Sequence, residues 1–87
     1  MNFPPQEFEQ LRKLVTMLRQ GEIDLPIGKK SFHALEAMID DADVVAMSNI
    51  VELGTKTNLS SASITRLAKL LGYKGYQQFQ LVFKKKS

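Results

Sequence analysis

Residues 49–72, NIVELGTKTNLSSASITRLAKLLG, compress two helical patterns into one short stretch and leave room between them only for a tight corner. Asn49 suits the N-cap of the first helix, and Glu52, three residues on, is placed to bond back to the Asn49 backbone N–H, as in a capping box. Ile50 and Leu53 are expected to face inward. Gly54 is small where the second helix must cross closely; a larger side chain there would hold the helices apart. Asn58 falls at the turn and is one of the few non-glycine residues that tolerate a left-handed backbone. Leu59 is the apolar plug of the corner, and Ser60 caps the helix that follows. None of these residues is specific alone. Small residue, turn residue and plug at these offsets are together what a helix-turn-helix requires.

In the second helix, Ile64, Leu67, Ala68 and Leu71 recur at i, i+3, i+4 and i+7 and are expected to pack inward. At about 100° per residue, the opposite side presents Ala62, Thr65, Arg66 and Lys69, with Ser61 and Ser63 on its flanks. Short side chains near the start let such a helix approach base edges closely. An arginine can fork onto guanine O6 and N7, and serine and threonine hydroxyls can meet several bases or phosphates. The competing view of the same pattern is an amphipathic helix whose polar face is simply solvated.

The charge distribution favours the first view. Residues 1–43 hold five Lys/Arg against eight Asp/Glu, net −3, whereas residues 44–87 hold seven against Glu52 alone, net +6. Positive potential is thus concentrated in the half that contains the corner, where it would draw a polyanion. The absence of cysteine excludes disulfides and thiolate metal sites and fits an intracellular setting. No apolar run approaches the roughly 18 residues of a membrane span, and the first residues lack a basic-then-apolar signal pattern. The expectation is a cytoplasmic protein without a membrane partner.

The rest of the chain reads as helix. Pro4 and Pro5 suit the first turn of a helix; Phe8, Leu11, Leu14, Val15 and Leu18 then recur at helical spacing, with Gly21 as a stop. Pro26 and Gly28 mark a loop. A second helix is expected from about Ser31 to Asp40, with Phe32, Leu35, Met38 and Ile39 inward. Asp41 to Met47 fits either a short helix or an irregular bridge, with Val44, Val45 and Met47 buried. A last helix from about Tyr76 to Phe83 offers Tyr76, Phe79, Leu81, Val82 and Phe83 as apolar surface, and Lys84 to Lys86 read as a frayed tail. The fold class that follows is all-α: a single domain over residues 1–87, a bundle of five to six helices containing the corner.

Tyr73-Lys74-Gly75-Tyr76 adds a second contact candidate. A glycine opening a helix exposes backbone N–H groups at the positive helix end, which favours a phosphate. Lys74 can add a charge contact and Gln77 or Gln78 a neutral one. The candidate DNA-contact set is therefore Ser60, Ser61, Ser63, Thr65, Arg66, Lys69, Lys74, Gly75, Tyr76 and Gln78.

Two runs, Leu59-Ser60-Ser61-Ala62-Ser63-Ile64-Thr65-Arg66 and Leu71-Gly72-Tyr73-Lys74-Gly75-Tyr76, resemble the N-terminal helix-turn-helix domain of the RpiR family of bacterial transcription regulators. The resemblance extends from roughly Lys30 to Phe83 and is strongest in Met47 to Phe79. The second run is the more specific, since generic helix-turn-helix proteins do not share it. Asn58 stands where glycine is usual, Leu70 where a basic residue is common, and Asn49 follows Ser48 where a single capping serine is usual. The resemblance implies a DNA-binding part of a longer regulator, with a sugar-isomerase-type domain that senses a phosphorylated sugar following after residue 87. The corner residues, the polar face and the basic second half together give as leading expectation a sequence-specific DNA-binding module that works as a homodimer on a two-fold-related operator.

Catalytic and metal chemistry is not expected. His33 is the single histidine. Asp41, Asp43 and Glu52 imitate part of a calcium loop, but Val45 and Ala46 stand where an acidic ligand and the turn glycine belong. Gly28-Lys29-Lys30-Ser31 resembles only the end of a P-loop, without its first glycine or a preceding strand. Ser60, Ser61 and Ser63 lie in no nucleophile-elbow context. No cofactor is implied. The alternative function is a helical protein-interaction or dimerisation module that never touches DNA, with the apolar stripe of the N-terminal helix as its main surface.

Overall fold

The computed structural model describes residues 3–86, which form helices α1 (Phe8–Arg19), α2 (Lys29–Asp40), α3 (Ala42–Met47), α4 (Ile50–Thr57), α5 (Ser61–Leu70) and α6 (Tyr76–Lys84). No strand forms among the described residues. Each helix turns one apolar stripe to a shared centre, as the 3.6-residue period requires. Phe79 and Phe83 of α6 are fully enclosed there with Leu11, Leu35, Leu53, Ile64 and Leu67. The rings interlock edge to face: Phe79–Phe83 centroids lie 5.0 Å apart and Phe8–Phe83 5.7 Å. Full burial of one such side chain contributes about 1.5–3 kcal/mol.

Several local expectations are corrected. Pro4 and Pro5 do not open α1, which begins only at Phe8 after Glu7; instead Pro5 is buried, and its carbonyl accepts a 2.6 Å hydrogen bond from the Tyr73 hydroxyl. The residues just before α1 are thereby tied to the segment after α5. α2 starts two residues earlier than expected, at Lys29. Asp41 to Met47 resolves into the short helix α3, with Val45 buried but Met47 86% exposed. Two residues separate them, about 200° of helix, so the side that α6 covers cannot include both. Leu81 is half-exposed for the same reason, standing two residues from both Phe79 and Phe83. Lys84 is not tail but the last residue of α6, and Lys86 Nζ lies 5.6 Å from the centroid of the Phe8 ring.

The apolar stripe of α1 is consumed at home. Phe8, Leu11, Leu14 and Val15 are all buried in the chain's own core, which removes them as a surface shared between chains and removes the main surface of the interaction-module alternative.

Candidate nucleic-acid interface

The corner between α4 and α5 is held by local bonds that its residue types dictate. Asn49 Oδ1 accepts from the Glu52 N–H at 2.8 Å and Glu52 Oε1 accepts from the Asn49 N–H at 2.9 Å, a complete capping box. At the other end of α4, Asn58 adopts φ 60°, ψ 36°, and the Leu59 N–H donates to the Gly54 carbonyl at 3.0 Å. A Cβ on Gly54 would stand 2.6 Å from the Leu59 carbonyl oxygen. The crowding comes from the backbone of the turn itself; the second helix makes no closer approach. Leu59 is buried, and Ser60 Oγ accepts from the Ser63 N–H at 3.1 Å while donating to Ser63 Oγ at 3.0 Å. The start of α5 is thus capped as expected.

α5 spans ten residues, about 15 Å. Ile64, Leu67, Ala68 and the following Leu71 are at most 1% exposed. On the outer side Ser60, Ser61, Ala62, Arg66 and Lys69 are exposed, with Ser63 and Thr65 half-buried beside them. Ala62, Thr65, Arg66, Lys69 and Leu70 share one shallow surface. Among the described residues the ion pairs are Arg12–Glu9 and Arg19–Glu36, so neither Arg66 nor Lys69 is held by a carboxylate. Glu52, the single acid of this half of the chain, is engaged in the cap of α4. A helix of this diameter, with short polar side chains leading and cations following, fits a major groove about 12 Å wide.

α5 ends at Leu70, and after the cap residue Leu71 comes Gly72, whose φ of +99° lets the Tyr73 N–H return to the Ala68 carbonyl at 3.0 Å. The chain then reaches Lys74, exposed, and Gly75, which opens α6 without a side-chain cap and with no acid in the first turn. Gly75, Gln77 and Gln78 line one shallow depression together with Asn49 and Ile50 from the start of α4. The uncapped beginning of α6, with its unpaired N–H groups, therefore opens on the same surface as the capped beginning of α4.

Tyr76 differs from its neighbours in the candidate set. Its ring is buried, and its hydroxyl donates to the Ser48 carbonyl at 2.7 Å and lies 3.3 Å from that of Val45. Only its backbone N–H, in the first turn of α6, is left to meet a ligand. Burial first, and the Glu52 charge second, raise its pKa above the ordinary phenol value. Gln80 completes the fastening: its Nε2 lies within 3.2 Å of the Val45, Ala46 and Ser48 carbonyls. α6 thus closes the elbow between α3 and α4, and through it fixes where α4 and α5 point. Sequence reading missed this duty, because a glutamine one turn beyond a tyrosine carries no signal of what it caps.

A short turn, a capped and exposed polar helix and a basic surface define a helix-turn-helix DNA-binding domain. A family model described as "Helix-turn-helix domain, rpiR family" matches residues 14–87, and the chain belongs to that family. The match begins earlier than the resemblance drawn from the sequence and takes in the second half of α1. No curated protein and no solved structure matches the chain significantly.

Proposed function

We propose that the domain reads a specific DNA sequence for a bacterial transcription regulator. α5 lies in the major groove, and the beginning of α6 holds a flanking phosphate. The observation that carries this reading is the outer face of α5, where Arg66 and Lys69 are exposed and unneutralised in a chain of the rpiR family. Ser61, Ser63, Thr65 and Arg66 face the bases; Ser60, Lys69, Lys74, Gln78 and the backbone N–H groups at Gly75 and Tyr76 serve the phosphates. In the cell the domain acts in the cytoplasm as a homodimer, on half-sites one helical turn or a multiple apart. Its effector is a phosphorylated sugar bound by a domain outside residues 1–87.

Selection of bound duplexes from a random pool tests the reading, followed by affinities for every single-base change. Arg66→Ala should cost roughly 1–3 kcal/mol at one base position and flatten preference there. Uniform loss over all duplexes would assign Arg66 to phosphate instead, and failure to enrich any sequence would contradict specific recognition.

A further inference from the structure

We infer that a lysine-lined groove between α2 and α4 carries the DNA backbone beyond the ground covered by α5. The inference rests on the reading above and extends it to a surface the candidate set omits. Lys29, Lys30 and His33 of α2 face Lys56 of α4 across this groove, and Asn58 closes its end at the corner. No carboxylate lines it. Glu36, on the same helix, is held by Arg19 at 2.7 Å, and Asp24 lines a neighbouring depression that shares Lys29 and His33 with the groove. Lys56 Nζ donates one hydrogen to Ser48 Oγ at 3.2 Å, leaving two others for an anion.

Position decides which polyanion fits. Asn58 also lines the depression that holds Ser60 and Ser61, the first residues of the reading helix. The groove therefore begins where α5 begins, and a strand leaving the base-reading surface at that end is led across Asn58 toward the lysines. The floor includes Ala34 and Ala37, whose short side chains leave the passage unobstructed. Lysine is a compact charge on a flexible stem, suited to phosphate oxygens and poorly suited to base edges. The groove thus adds affinity and salt sensitivity without adding sequence preference.

The test compares the wild-type chain with Lys29→Gln/Lys30→Gln and with Lys56→Gln, binding the selected duplex across a salt series. Lys29 and Lys30 occupy the first turn of α2, the positive end of its dipole, so their neutralisation does not weaken the helix. The double variant should make the slope of log K against log salt shallower by about 2, and Lys56→Gln by about 1. The ratio of cognate to non-cognate affinity should stay fixed, and the differences should vanish on a duplex trimmed to the base pairs under α5. Unchanged slopes, with Arg66→Ala still altering base preference, overturn this inference and leave the functional reading standing. A wild-type chain that binds no duplex overturns both. Unchanged DNA slopes together with lost binding to polyglutamate would assign the groove to an acidic protein segment and overturn the inference equally.

Discussion

Gly54 is the residue on which the geometry of the corner turns. Its missing side chain lets the Leu59 carbonyl lie within 2.6 Å of the place a Cβ would occupy, and because the neighbour is backbone, no rotamer change relieves a substitution. Gly54→Ala should cost about 1–3 kcal/mol of stability in urea denaturation; an unchanged midpoint would show that the turn relaxes without penalty. Asn58 and Ser60 complete the corner in the way their chemistry requires, the first by tolerating φ 60°, the second by capping. The roles of Asn58 and Ser60 were legible in the sequence because their partners lie within five residues; the need for a small residue at position 54 was legible too, but its cause is the Leu59 carbonyl of the turn and not a close crossing by the second helix. Tyr76 was not legible in the same way. An aromatic at the start of a helix beside a glycine suits a phosphate contact, and only the long-range fold reveals that its hydroxyl is spent on Ser48.

Among the elements, α6 does two jobs that can be separated. Its apolar face, with Tyr76 and Gln80, fastens the α3–α4 elbow, while its uncapped beginning faces outward. Gly75 belongs to the second job. Its backbone is extended, φ −178°, and a Cβ there would meet nothing closer than Gln78 Oε1 at 3.6 Å. The fold therefore tolerates alanine at this position. Gly75→Ala should leave stability within about 0.5 kcal/mol of wild type, yet weaken DNA binding by crowding the phosphate approach. Equal affinity in the two proteins would remove the start of α6 from the interface. Five of the six helices were readable from periodicity, while α3 stayed open between a short helix and an irregular bridge, and which sides stay uncovered was not readable. Met47 and Leu81 are apolar and exposed because a neighbouring helix can cover only one side of α3 or α6.

On the scale of the whole molecule, two tyrosines tie distant segments together: Tyr73, between α5 and α6, reaches Pro5 before α1, and Tyr76 of α6 reaches the α3–α4 elbow. Tyr73 is buried with its hydroxyl on the Pro5 carbonyl, and burial raises its pKa above the ordinary phenol range; Tyr76 is raised by burial and by Glu52. A phenol is neutral when protonated, so the folded chain holds both protons more tightly than the unfolded chain, whose tyrosines titrate near pH ~10. This contribution to stability is complete below that pH and is lost as pH rises beyond it. With two tyrosines and no tryptophan, tyrosinate absorbance should rise later than for free tyrosine and together with loss of helical circular dichroism. Ordinary titration in a chain still helical would refute the burial of these hydroxyls. The basic groove shows what linear charge counting conceals: Lys29 and Lys30 belong to the acidic half of the chain, and only folding sets them beside Lys56.

Amide chemical-shift mapping of the chain with the selected duplex addresses the central claim, that the outer side of α5 enters the DNA. The account predicts the largest perturbations at residues 60–69, with a second group at 74–78 and no comparable changes along the buried side of α1. Perturbations that spare α5 and gather on another face, at a salt concentration where binding is specific, would contradict it.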